Sequence, residues 1–270
     1  MARLIRALLV LALAAAGYAS PRIALADSPA IGIVIMHGKG GSPERLVSDL
    51  AAALSAKGYL VANLEMPWSG RRDYDVGVKQ AEQQVESALA GLRDKGAKKL
   101  FVAGHSQGGA FAIYFAGRHA LDGVIAIAPG GSTGSSVFRD KLGASLARAR
   151  EAVAAGRGEE KLDLLDYEGS RGTTPVHARA SVYAEWFDPE GAMNLAHSAT
   201  VVIPQTPVLW MVAKNDYPAL RRANIPLYQR LPANPLTAFY EPNSSHRDAP
   251  LAAVDEILRW TRAVANAQGR

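Results

Sequence analysis

Short apolar runs alternate with longer amphipathic stretches along most of the chain. Ile31 to Met36 is a continuous apolar run. Tyr59 to Leu64, Lys99 to Ala103, Val124 to Ala128, Pro207 to Ala213 and Leu236 to Tyr240 repeat the pattern, bounded by Gly, Pro and polar residues. Runs of this length with little polar alternation predict strands buried on both faces. Between them the apolar period lengthens. A helix is expected from Ser42 or Pro43 to Lys57, with Leu46, Leu50 and Leu54 on one face. Others are expected over Asp75 to Lys95, Gln107 to Arg118 and Ala249 to Ala267. Strand–helix alternation implies an α/β fold, with a mostly parallel central sheet and helices on both faces.

One stretch interrupts this rhythm. Between Gly130 and Pro207 the pattern gives no convincing sheet strand. Phe138 to Ala155 has the spacing of an amphipathic helix, with Leu142, Leu146 and Val153 on its apolar side. A Gly- and charge-rich segment follows, then Val182, Tyr183, Trp186, Phe187 and Met193. More than about 15 residues without structure is unusual for a loop. The stretch from about residue 131 to 206 is therefore expected to be a helical cap inserted in the sheet domain.

The N-terminus changes the count of folded residues. Arg3 and Arg6 precede an apolar run from Ala7 to Ala16, and Ala24-Leu25-Ala26 follows. A basic start, a short apolar stretch and an A-x-A site are the parts of a secretory signal peptide. The apolar run is half of the about 20 residues that a bilayer span needs. Residues 1–26 are thus expected to be a cleaved signal, leaving a domain over 27–270 in the periplasm or secreted. An uncut N-terminal anchor is the alternative. The formal charge of +5 also owes three arginines to this segment. Without them, 27 basic residues face 25 acidic ones, a net of +2. So small an excess gives no ground for binding nucleic acid or an anionic membrane. The chain has no cysteine, which excludes disulfides, thiolate metal sites and a Cys nucleophile.

The chemistry starts at Gly104-His105-Ser106-Gln107-Gly108. This G-x-S-x-G follows a predicted strand and opens a predicted helix, the context that gives the motif meaning. Ser106 would project from a turn too tight for a side chain at 104 or 108. A serine hydroxyl needs a base. His246, just past the last expected strand, is the candidate, and Asp216, just past the fifth, is the candidate acid to orient it. Asp248 is a rival acid, better suited by position to cap the closing helix. An oxyanion needs preorganised N–H donors. The backbone amide of Gln107 is one candidate. The other lies in His37-Gly38-Lys39-Gly40-Gly41, with Lys39 preferred and Gly38 second.

These motifs together resemble the α/β-hydrolase family, from about Ile31 to the C-terminus apart from the cap. The resemblance implies a Ser106–Asp216–His246 triad, no cofactor and no metal, and a small-molecule acyl substrate. One departure is that the family's usual two antiparallel strands before the first parallel strand have no counterpart ahead of Ile31 to Met36 in the expected mature chain. Carboxylic ester cleavage through an acyl-enzyme is the leading expectation. Amide or peptide cleavage uses the same machinery, and a non-catalytic binding protein is a third reading. His37, Tyr183, Trp186 and Phe187 are candidate substrate contacts, although the cap aromatics could equally form the cap's own core.

Overall fold

The structure is a computed structural model describing residues 30–268. The expected signal segment, residues 1–26, lies outside the described residues. The chain begins with alternating elements: β1 (Ile31–Met36), α1 (Ser48–Ala56), β2 (Leu60–Leu64), α2 (Val78–Asp94), β3 (Lys99–His105), α3 (Gln107–Ala116) and β4 (Gly123–Ile127). The insertion holds α4 (Ser136–Ala154), β5 (Lys161–Glu168), β6 (Gly172–Arg179), α5 (Ala180–Trp186) and α6 (Leu195–Thr200). The sheet domain resumes with β7 (Val208–Met211), α7 (Pro218–Tyr228), β8 (Ala238–Tyr240), α8 (Ala249–Ala252) and α9 (Val254–Ala267).

Six strands form one sheet in the order β2-β1-β3-β4-β7-β8, and every neighbouring pair is parallel. Alternate side chains enter two separate cores. Val34, Met36, Val102, Val124 and Trp210 pack on the α2–α3 side. Ile33, Ile35, Phe101, Ile125 and Leu209 pack on the α1–α9 side. Burial of each such side chain stabilises the fold by about 1.5–3 kcal/mol. The continuous apolar runs in the sequence are the trace of this two-sided burial.

Strand order reverses at β1. The chain moves outward to β2, then crosses over β1 to β3 and continues the other way. The loops leaving β1 and β3 therefore diverge from a shared crevice, the usual place for a ligand in an open parallel sheet. Register makes this concrete, because Met36 lies opposite Gly104. The Gly-rich loop after β1 is thereby set beside the turn that carries Ser106.

Three differences from the sequence reading have physical causes. The insertion is not purely helical, because β5 and β6 form an antiparallel hairpin with Lys161 opposite Arg179 and Glu168 opposite Gly172. Its inward positions are Leu162, Leu164 and Asp166. The acid in that row hides the apolar alternation. Helix α7 is hidden in the sequence because Pro226 lies inside it, and an interior proline argues against a helix, whereas Pro218 stands at its first turn, where proline is tolerated. Helix α1 starts at Ser48, after a series of turns, so Leu46 is 40% exposed rather than inward.

Candidate active site

The turn after β3 has an unusual backbone. Ser106 sits at φ 54, ψ −116, a region that L-residues rarely adopt and that costs about 1–3 kcal/mol. Two glycines enforce it. A Cβ on Gly104 would lie 2.0 Å from the Gly108 carbonyl oxygen, and one on Gly108 would lie 2.5 Å from that of Met36. The turn is pinned on both sides: Ser106 N–H donates to Ile127 O at 2.9 Å, and Gly130 N–H donates to Ser106 O at 3.1 Å. The serine side chain is left at the C-terminal edge of the sheet, beside the N-terminus of α3.

Asp216 and His246 meet because β7 and β8 stay paired beyond their strand ends. Lys214 N–H donates to Pro242 O at 2.9 Å and Asn215 N–H to Ser244 O at 3.0 Å. Asn215 then bridges Ser245 in parallel register. The next residues, Asp216 and His246, are delivered side by side. The His246 Nδ1–H donates to Asp216 Oδ1 at 2.9 Å and Oδ2 at 3.1 Å. The Asp216 side chain is fully buried and that of His246 is 13% exposed. Tyr217 N–H also donates to Asp216 Oδ1 at 2.7 Å, which holds the carboxylate in place. With Nδ1 as donor, Nε2 is the free acceptor. His246 and Ser106 line the same cavities. Among the described residues the Ser106 hydroxyl makes no hydrogen bond. Asp248 is elsewhere: it accepts from Ser245 Oγ, and its side chain caps no helix amide.

His105 supports this arrangement and was missed as a functional residue by sequence reasoning. Its Nε2–H donates to the backbone carbonyl of His246 at 2.9 Å, and the two rings lie 4.8 Å apart. Complete burial, with the neighbouring His246 adding to it, pushes the His105 pKa down to about 3. A neutral ring therefore props the loop that carries His246.

The loop after β1 is equally constrained. His37 is buried, and burial lowers its pKa. Its Nδ1 bonds Gly38 O at 2.7 Å, and Nε2 accepts from Met66 N–H at 3.1 Å. Trp68 Nε1–H donates to His37 O at 2.8 Å. With both ring nitrogens taken by main chain, His37 shapes the loop instead of offering a polar contact to a substrate. The amides of Gly38, Lys39 and Gln107 have no partner among the described residues. Lys39 lines both cavities next to Ser106, and Gln107 lines the larger one.

The side chains of those last two residues converge on the cap. Lys39 Nζ pairs with Asp166 Oδ1 and donates to Tyr167 O at 3.0 Å. Tyr74 O–H donates to Asp166 Oδ2 at 3.1 Å and accepts from Gln107 Nε2 at 3.3 Å. Burial, then the Asp166 charge, raises the Tyr74 pKa well above its usual value. Only the inward place of Asp166 in β5 could have signalled this network.

The expected cap contacts are corrected by the structure. Tyr183, Trp186 and Phe187 are buried and line neither cavity at Ser106. Trp186 packs 5.6 Å from both Trp68 and Phe111 and donates to Val76 O at 2.8 Å. Tyr183 stacks on Phe187 at 4.2 Å and donates to Leu165 O at 2.6 Å. These rings weld the cap to the sheet domain. The residues facing Ser106 are instead Phe138, Tyr167, Leu195, Leu220 and Leu227, in a cavity of about 600 Å³. Among the described residues no group of three or more His, Cys, Asp or Glu could hold a metal ion.

Comparison with known proteins agrees with this architecture. A search of curated proteins finds none that matches. Solved structures do match. The monoacylglycerol lipase of Paleococcus ferrophilus is 20% identical, with 86% of this chain and 94% of that one covered at a TM-score of 0.58. A thermostable carboxyl esterase from Bacillus coagulans is 15% identical, covering 89% and 92% at a TM-score of 0.62. A soluble variant of monoglyceride lipase from Saccharomyces cerevisiae is 16% identical, covering 87% of each chain at a TM-score of 0.56. At these identities the likeness is one of fold. A sequence model described as the alpha/beta hydrolase family matches residues 33–260, most of the chain. The chain belongs to the alpha/beta hydrolase family.

Proposed function

We propose that the protein is a serine hydrolase that cleaves carboxylic esters through an acyl-enzyme. One observation carries this reading: His246, held by the buried Asp216, stands at the same cavity wall as a serine at positive φ on a strand-to-helix turn. The similarity in fold to lipases and esterases supports it.

Substrate binding turns the Ser106 hydroxyl toward His246 Nε2. His246 takes the proton as Oγ attacks the acyl carbon, forming the Oγ–C bond. The carbonyl oxygen gains negative charge and accepts from the free amides of Lys39 and Gln107. As the C–O bond to the leaving group breaks, His246 passes its proton to the departing oxygen. Water, deprotonated by His246, then attacks the acyl carbon; the Oγ–C bond breaks, the acid leaves, and His246 returns the proton to Ser106 Oγ. Asp216 keeps the ring in one tautomer and balances its transient positive charge.

The test is hydrolysis of p-nitrophenyl esters by wild type and Ser106→Ala. The reading expects kcat to fall by about 10⁴-fold or more in the variant, with an unchanged melting transition. Comparable turnover in a folded Ser106→Ala protein contradicts it. We propose further that residues 1–26 direct export and are removed, so that the enzyme works outside the cytoplasm.

A further inference from the structure

The two cavities that meet at Ser106 have opposite chemistry. The larger, about 600 Å³, is walled by Pro129, Val137, Phe138, Leu195, Leu220 and Leu227. That is the size of a pocket for a small organic molecule, and its lining is mostly apolar, with Lys39, Glu168 and His246 on the side it shares with the smaller cavity. The smaller, about 110 Å³, lies between the Gly-rich loop, the β5–β6 turn and the His246 loop. Arg45, Arg171 and Arg247 stand around it, with Glu168 as the one carboxylate among its lining residues. Glu168 lies 3.7 Å from Arg171 Nε. Arg45 and Arg247 form no ion pair among the described residues. The fourth cation there, Lys39, is turned aside to Asp166.

From this, and resting on the hydrolase reading above, we infer that the substrate is an ester with an apolar acyl group and an anionic leaving group, carboxylate or phosphate. The three arginines come from three separate segments: the turn before α1, the β5–β6 turn and the loop after β8. They are not one solvated helix face. Their convergence gives the small cavity a net positive charge beside the scissile bond. Arginine's planar fork suits carboxylate and phosphate oxygens. Arg171 crosses the oxyanion loop itself, since a Cβ on Gly40 would lie 3.4 Å from its Nη1. The side assignment follows from proton transfer. His246 must reach the leaving oxygen; it bounds both cavities, but His105 beneath it and Arg247 next to it in the same loop line only the cationic one. The acyl group then takes the apolar cavity under α4 and α7. The chemistry balances as ordinary ester hydrolysis: the Oγ–C bond forms, the C–O bond breaks, and the leaving oxygen receives the serine proton through His246.

The test compares 4-octanoyloxybenzoate with its methyl ester, a pair that differs by one negative charge remote from the reacting carbonyl. The carboxylate form carries the poorer leaving phenol, so chemistry alone favours the methyl ester. The inference expects wild type to reverse this, preferring the carboxylate by about tenfold in kcat/KM, from three partly solvated pairs each contributing a few-fold. The preference should shrink in 0.5 M salt and disappear in the folded R45Q/R171Q/R247Q variant. Ser106-dependent cleavage of both esters with no charge preference, or a preference that survives the triple substitution, overturns the inference and leaves the hydrolase reading standing. Faster cleavage of mono-octyl succinate than of the benzoate ester overturns the side assignment, because it places the anion on the acyl part. No cleavage of any of these esters, nor of p-nitrophenyl octanoate, overturns both.

Discussion

Single residues decide the geometry at which the chemistry starts. Ser106 at positive φ requires glycine at 104 and 108, because the space for their side chains is occupied by main chain. Asp216 holds His246 through both carboxylate oxygens. Asp216→Asn keeps the shape but offers a donor to Nδ1 and so stabilises the wrong tautomer. Steady-state kinetics should show kcat lowered by about 10³–10⁴-fold, with KM little changed and the fold retained. His105 makes a prediction about pH. Its folded pKa of about 3 lies below the ordinary 6.5, so between those values the unfolded chain binds a proton that the folded one refuses. Its contribution to stability is complete above pH 6.5 and is lost as pH falls toward 3. His37 shifts in the same direction. Denaturant titration should find the wild type about 2 kcal/mol less stable at pH 5 than at pH 7 from His105 alone. His105→Gln should flatten that dependence; an unaltered slope would show that the ring is not neutral in the fold.

Elements bring these residues together, and here the sequence was unevenly informative. The central sheet strands announced themselves because burial on both faces leaves continuous apolar runs such as Ile31 to Met36, and the half-buried edge strands β2 and β8 followed from their apolar residues and place in the alternation. The Ser106 turn was visible because its steric demands fall on two glycines at fixed spacing. Asp216 and His246 were placed by their positions after strands. Their contact depends on β7 and β8 pairing past their ends, which no local pattern reveals. The hairpin β5–β6 was hidden by the inward acid at 166, and α7 by its interior Pro226. The aromatic residues of α5 pointed to a substrate wall, yet they pack against Trp68 and Phe111. Composition alone does not distinguish a lining ring from a core ring. Asp166 ties the hairpin to both loops that carry the candidate oxyanion donors, through Lys39 on one side and Tyr74–Gln107 on the other. Asp166→Asn strips a mostly buried lysine of its counter-charge. It should cost about 2–3 kcal/mol of stability, discounted for the partial exposure of Lys39. Kinetics at a temperature where the variant is folded should show kcat falling more than KM rises. An increase in KM alone would assign Asp166 to substrate contact.

At the scale of the whole molecule, the parallel sheet supplies a rigid edge and the insertion supplies the walls above it. The reversal of strand order at β1 places the amide-bearing loop next to the Ser106 turn before any cap is added. The cap then encloses an apolar space on one side of Ser106 and leaves arginines on the other. The described helices include none long and apolar enough to cross a membrane. The proposed export role of the basic and apolar segment at residues 1–26 is tested at its cleavage site. N-terminal sequencing of the protein recovered from outside the cytoplasm should begin at Asp27. A start at Met1 would make the segment a retained anchor.

The most direct test of the central claim is covalent labelling of the intact protein with a fluorophosphonate, followed by peptide mapping. One stoichiometric adduct on Ser106 is expected, lost in His246→Ala and in heat-unfolded protein. Folded wild-type protein that takes up no label, or carries it on another residue, would contradict it.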